Sequence, residues 1–252
     1  MVESQKKTSA RRESEVEALL VASRAVLQYS SFEQSSRAIF DQAKAITGAT
    51  SGYVALLSED GAENEVLFLD AGGLECSVDP ALPMPIRGLR SDAYKYNKAV
   101  YDNDFMNSDW VKFLPKGHVA LRNVLFAPLV IEGRAVGLMG LANKKTAFND
   151  DDARMAAAFG ELASVALHNS QNMDQLRSTV DKLQKALAEV KALRGLLPIC
   201  CVCKKIRDDK GYWQQIETYV KAHSDAEFTH GYCPECADNV RREIRENATK
   251  QK

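Results

Sequence analysis

The sequence predicts a mixed α/β (α+β) domain with a central antiparallel sheet and flanking helices, followed by a coiled-coil helix and a small cysteine-bearing module. Three observations predict it. Apolar residues repeat at helical spacing at both ends of the first 170 residues, short apolar runs between them pair off around tight turns, and five of the six cysteines fall in two late clusters.

Val16, Leu19, Leu20, Val26 and Leu27 keep helical spacing, as do Phe32, Ile39, Phe40 and Ala43. Ser30-Ser31-Phe32-Glu33 breaks this stretch into two helices, with Ser31 as N-cap and Gly48 as the stop. Strands are expected over 52–58 and 65–71, joined at Glu59-Asp60-Gly61, and over 123–131 and 135–143, joined at Glu132-Gly133-Arg134. Between the pairs, Pro80, Pro83 and Pro85 mark an irregular stretch ahead of a helix over 89–97. Asn149 or Asp150 then caps a long helix beginning Asp151-Asp152.

That helix runs on past the domain. Met173, Leu176, Val180, Leu183, Leu187, Val190 and Leu197 alternate by three and four as in a coiled coil, and Arg194 breaks the next position. No Pro or Gly interrupts it between Gly160 and Gly195, and Arg177, Gln184 and Lys191 flank the apolar seam with polar groups. A dimeric coiled coil is expected, the competing reading being one amphipathic helix lying on its own domain. The organisation is therefore an unstructured start (1–14), a domain over 15–170, a coiled coil over 171–197, a cysteine module over 198–246 and a tail over 247–252.

Thirty-three basic residues against 34 acidic ones give a net charge of -1, so the whole chain makes no electrostatic case for nucleic acid or membrane. No apolar run approaches the roughly 20 residues that span a bilayer, and the polar start is no signal peptide. A cytoplasmic protein is expected. In a reducing compartment the clustered cysteines point to metal before disulfides.

Four segments carry a resemblance over about residues 15–170. They are Thr47-Gly48-Ala49-Thr50-Ser51-Gly52-Tyr53, Pro85-Ile86-Arg87-Gly88-Leu89, Ala99-Val100-Tyr101-Asp102-Asn103-Asp104, and the hairpin Ala127 to Gly137. In this order and spacing they resemble the GAF family of small-molecule-binding regulatory domains. The resemblance implies a sheet covered on one face by helices and on the other by loops around a pocket. It leaves the ligand open, since members bind cyclic nucleotides, tetrapyrroles or other small molecules, or only dimerise. Residues on the pocket side would come from 74–122, with Tyr94, Tyr101, Phe105, Trp110, His118 and Arg122 as candidate ligand contacts, and Tyr96 and Phe113 beside them. The same aromatic residues serve equally as loop packing over a sheet. His118 is the candidate axial ligand were the ligand haem, and otherwise reads as a hydrogen-bonded loop residue. Cys76, the one cysteine of the domain, has no adjacent histidine for a bilin and no resolving partner for a sulfoxide-reducing disulfide, so it reads as a small semi-buried residue.

Cys200-Cys201-Val202-Cys203 and Cys233-Pro234-Glu235-Cys236 form two C-x-x-C pairs, the arrangement in which two tight turns present four thiolates to one zinc ion. Cys200, Cys203, Cys233 and Cys236 are the expected ligands. Cys201 is the alternative to Cys200, and His230 the alternative to one thiolate. Lys204 and Lys205 place positive charge beside the first pair, and a helix over 237–247 puts its N-terminal dipole at the second. Between the pairs a hairpin is expected around Asp209-Lys210-Gly211 and an amphipathic helix over 214–223, giving a zinc-ribbon or treble-clef module. A unit of this size has little core, so a structural metal is physically useful. The stretch resembles a C-terminal extension of bacterial PAS, GAF and response-regulator signalling proteins.

No Gly-rich phosphate loop, kinase signature or nucleophile elbow is present, and His168 is followed by Asn169 rather than the acidic residue of a histidine-kinase helix. The expected function is a non-enzymatic signalling adaptor. A small-molecule-binding or dimerising domain would be coupled through a homodimeric coiled coil to a zinc module that meets a protein partner. One alternative is a transcription-linked regulator using Lys204, Lys205, Arg207, Arg241, Arg242 and Arg245 on nucleic acid, which Asp208, Asp209, Glu217, Asp225 and Glu227 oppose. The other is a redox switch that ejects zinc on cysteine oxidation.

Overall fold

The computed structural model describes residues 2–74, 77–79, 82–192, 197–208, 210–224 and 226–250, with backbone alone for 2–8, 188–192, 246 and 248–250. Cys76, Pro80, Arg194, Gly195, Asp209, Asp225 and the side chains of Val190 and Lys191 lie outside the described residues. The chain divides into two units, Met1–Leu176 and Arg177–Lys252.

The first unit opens with two helices, α1 (Val2–Gln28) and α2 (Phe32–Thr47). Ser31 caps α2 by accepting from the Gln34 N–H, and Gly48 ends it at φ 75°, a left-handed conformation that suits glycine. Helix α1 begins at Val2, where an unstructured start over 1–14 is expected. Within it Arg11 Nε pairs with Glu15 Oε1 at 2.9 Å one turn on, and Arg11 also lies 3.6 Å from Asp151.

Five strands form one antiparallel sheet in the order β2-β1-β5-β4-β3: β1 (Ser51–Leu57), β2 (Asn64–Asp70), β3 (Val100–Asp102), β4 (Val124–Ile131) and β5 (Arg134–Ala142). The two expected hairpins are present, joined through β1 and β5. Edge strand β3 is new to the structure, being too short to show a period-2 pattern. Helix α3 (Leu89–Tyr96) and two 3-10 turns (Phe105–Asn107 and Asp109–Phe113) lie in the connection before β4.

Strand alternation sends side chains into two cores. Val54, Leu125, Ala127, Leu129, Met139 and Leu141 join Ile39 and Phe40 of α2 and Phe159 of the long helix α4 (Asp150–Ala192) in the larger one. Val124, Phe126, Leu138 and Ala142 face the other way, toward α3. Helix α4 lies close on β4 because Gly160 carries no side chain: a Cβ there would sit 2.7 Å from the Pro128 carbonyl oxygen. From Gln171 to Leu187 every residue of α4 is exposed. Among the described residues no helix is long and apolar enough to cross a membrane.

The second unit contains the rest of α4, a two-stranded ribbon of β6 (Ile206–Arg207) and β7 (Trp213–Gln214), α5 (Ile216–His223) and α6 (Pro234–Lys250). Helix α6 starts earlier than the 237 expected from sequence. Cys233 occupies the N-cap position and Pro234 the first helical one, where a missing N–H costs nothing.

The Gly160 contact gives a stability prediction. Gly160→Val forces branched carbons against the β4 backbone and is expected to lower the unfolding free energy by about 2 kcal/mol. Chemical denaturation measures this, and an unchanged midpoint contradicts the close approach.

Candidate functional site

The sheet face beneath α3 carries the candidate ligand site. Its apolar layer consists of Ala93, Phe105, Val124, Phe126, Leu138 and Ala142, with Leu89, Tyr94 and Trp110 packed against it. Tyr53 reaches this face from β1 and lies across Gly140, its cross-strand neighbour on β5: a Cβ at Gly140 would sit 2.5 Å from the Tyr53 ring. The rings of Tyr53 and Phe126 are 6.4 Å apart, centroid to centroid.

Polar groups are set into this layer. The Tyr94 hydroxyl donates to Asn64 Oδ1 at the start of β2. Asn64 is only 4% exposed, and its Nδ2 is buried without a hydrogen-bond partner. The Tyr53 hydroxyl is buried and unpartnered in the same way. Burial pushes the Tyr53 phenol above its ordinary pKa, and the Arg90 guanidinium beside it works against that rise. Tyr94 is raised too, by burial first and by Tyr53 second, with Arg90 again opposing. Both phenols are therefore neutral donors at physiological pH. An orphaned buried donor costs about 1–3 kcal/mol, so two in one layer call for a partner that the described chain does not supply.

The sequence-predicted contacts separate into groups. Tyr94, Phe105 and Trp110 come together in this layer. Tyr101 packs instead with the larger core on the helix side, and its hydroxyl donates to Asp150 Oδ1 at 2.9 Å, tying β3 to the start of α4. His118 is a half-buried loop residue with Nδ1 2.8 Å from the Val119 carbonyl oxygen. Arg122 is exposed and lines an open cleft of about 470 Å³ with Thr50, Met106, Asn143 and Lys145 at the strand ends. Tyr96 is exposed, and Phe113 stacks under Arg87 at 5.0 Å. Tyr53, Asn64 and Arg90 are the residues that sequence reasoning missed. The signal for Tyr53 was its alternation with Val54, which sends the two to opposite faces.

The cysteine pairs are each shaped alike. The Cys203 N–H points at Cys200 Sγ and the Cys236 N–H at Cys233 Sγ, both at 3.5 Å. These amides hold the Cys200 and Cys233 thiols below their ordinary pKa. The first pair sits in a tight loop closed by Cys200 N–H to Lys205 O and Lys204 N–H to Cys200 O, both 2.9 Å, with Lys204 left-handed at φ 60°. The expected hairpin forms beyond it: Asp208 accepts from Gly211 N–H and donates to Tyr212 O, both 2.9 Å. Cys201 and His230 are exposed. In donor chemistry each pair suits a soft tetrahedral cation. Yet among the described residues no group of three or more His, Cys, Asp or Glu is placed to hold a metal ion, so the two pairs stand ungrouped.

Comparison with known proteins agrees with this architecture. The family model described as GAF domain matches residues 30–168. The chain is similar to the methyl sulfide methyltransferase-associated sensor of Methanosarcina acetivorans, 25% identical over 160 residues. That match covers 61% of this chain and spans 16% of the relative's length. In fold it is similar to the GAF domain of Acinetobacter phosphoenolpyruvate-protein phosphotransferase (TM-score 0.52, 15% identity, 61% of this chain and 92% of that one). It is also similar to a bacteriophytochrome from the photosynthetic bacterium R. palustris (TM-score 0.52, 13% identity, 69% of this chain and 41% of that one).

The polar cluster makes its own stability prediction. Tyr94→Phe leaves Asn64 Oδ1 buried and unpaired and is expected to cost about 1–3 kcal/mol in denaturant unfolding. Wild-type stability in this variant contradicts the placement of the Tyr94–Asn64 bond.

Proposed function

Because the chain belongs to the GAF domain family, we propose that it is a regulatory sensor rather than an enzyme: the sheet face under α3 takes a small ligand, and α4 carries the consequence to the cysteine module. The observation that carries this reading is the pair of orphaned donors, Tyr53 Oη and Asn64 Nδ2, inside an otherwise apolar layer. A layer serving packing alone would hold apolar groups there. The name of the Methanosarcina acetivorans relative, a sensor, supports the same reading.

The output side rests on two features. Met173, Leu176, Val180, Leu183 and Leu187 are exposed at alternating spacings of three and four residues, which suits a parallel two-stranded coiled coil with a second copy of the chain. In the cysteine module Ile206 is the one buried side chain among the described residues of 197–247, so burial alone does not hold it together. Zinc held by Cys200, Cys203, Cys233 and Cys236 would supply the missing constraint by drawing the two preformed pairs into one site. A module held this way would present its surface to a protein partner.

Native mass spectrometry of the full chain reads both features. Wild-type protein is expected as a dimer with one zinc per chain. Cys203→Ser and Cys236→Ser are each expected to lose the metal while the sheet domain keeps its unfolding transition. Unchanged zinc content in both variants contradicts the four-sulfur site. Leu183→Asp with Leu187→Asp places charges in the seam and is expected to yield monomer, and a dimer unaffected by this double change rules out the coiled coil as the contact.

A further inference from the structure

We propose that the cluster of Tyr53, Asn64, Arg90 and Tyr94 binds a small monoanion, a carboxylate or a planar oxyanion of one charge. This rests on the sensor reading and names its ligand chemistry. Both unsatisfied groups can donate, and one of them can do nothing else. Asn64 Nδ2 has only hydrogens to offer, because its Oδ1 already accepts from Tyr94. The Tyr53 phenol is protonated and buried, with its O–H uncommitted. An occupant that satisfies both must be an acceptor.

The charge follows from Arg90. It is the charged side chain acting on both phenols, and it is itself half-buried. One guanidinium beside two neutral donors neutralises one negative charge, and charge-assisted hydrogen bonds of this kind are the strong ones. A dianion such as phosphate would carry a second, uncompensated charge into a layer made of Phe105, Phe126, Leu138 and Trp110. The same apolar wall accommodates the hydrocarbon body of a carboxylate. Three chain segments supply the donors, β1 for Tyr53, the start of β2 for Asn64 and α3 for Arg90 and Tyr94. An anion bound among them would hold α3 against the sheet, and α3 leads directly into β3, whose Tyr101 is bonded to the first residue of α4.

Isothermal calorimetry on this chain, with sodium acetate, benzoate, nitrate and phosphate at constant ionic strength and at a pH well above the second ionisation of phosphate, tests this. Saturable binding is expected for at least one of the three monoanions and none for phosphate. Nitrate binding alone identifies an oxyanion site, and acetate or benzoate binding a carboxylate site. Arg90→Gln and Tyr53→Phe are each expected to weaken it about tenfold or more, whereas Lys98→Gln, an exposed cation beyond α3, leaves it unchanged. Arg90→Lys keeps the charge and serves should Arg90→Gln fail to fold. Tyr53→Phe is also expected to unfold at the wild-type denaturant midpoint without added anion, since no bond is lost. Absence of saturable monoanion binding, equal affinity in Arg90→Gln, or a less stable ligand-free Tyr53→Phe overturns the proposal, the last because it makes the hydroxyl a structural group bonded through water. A neutral molecule retained in native mass spectra and lost in Tyr53→Phe overturns the anion class while the sensor reading stands. A monoanion that binds as expected yet leaves hydrogen exchange of α4 unchanged supports the anion site and defeats the sensor reading.

Discussion

The sheet domain depends on how α4 is fastened at its first turn. Asn149 and Asp152 form a reciprocal cap, Asn149 N–H to Asp152 Oδ2 and Asp152 N–H to Asn149 Oδ1, both 3.0 Å. Asp152 is only 2% exposed and is paired with Lys144, the residue after the β5 strand and its Asn143 turn. Arg11 of α1 approaches Asp151 at 3.6 Å, and Arg154 approaches Glu15 of α1 at 3.7 Å. With Tyr101 on Asp150, the turn gathers contacts from α1, β3 and the β5 exit. The buried Asp152–Lys144 pair ties this turn to the β5 exit, and the more exposed contacts to α1 and Tyr101 add less.

That fastening gives the sheet its two-sided logic. One face is closed by α1, α2 and α4, where the Gly160 contact lets the helix lie on β4. The other is closed by α3 and its neighbouring turns over a thinner layer that retains unpaired donors. In the proposed reading the thick face supplies stability and the thin face a site whose occupancy would change how α3 sits. Strand β3 belongs to both, since Val100 packs toward the thin layer and Tyr101 toward the thick one. A ligand can shift only an equilibrium whose two states it binds unequally, and the thin layer is where such states are least costly.

Much of the architecture was legible because it rests on local chemistry. Ser31 and Gly48 bound α2 through cap geometry, and the hairpin turns and apolar runs place four strands within a residue or two. Each C-x-x-C pair closes a local turn in which an N–H meets the first sulfur, as its spacing suggests, while the grouping of the two pairs does not follow from spacing. What was not legible depends on chain segments meeting. Tyr53, Asn64 and Arg90 lie on three elements, and each alone reads as an ordinary strand or helix residue. Tyr101 was expected among the pocket aromatics because it is a tyrosine in the right segment. Its strand register turns it to the opposite face. The start of α6 was placed late because the cap is a cysteine, outside the Ser, Thr, Asp and Asn that usually announce a helix.

The relay from the thin face to α4 is the central claim, and hydrogen exchange tests it most directly. The full chain would be compared with and without saturating sodium nitrate and sodium benzoate. The account predicts slower exchange in Leu89–Tyr96 together with altered exchange over 171–187, where α4 is wholly exposed in the single chain. Slowing confined to Leu89–Tyr96, with 171–187 exchanging identically, would contradict it.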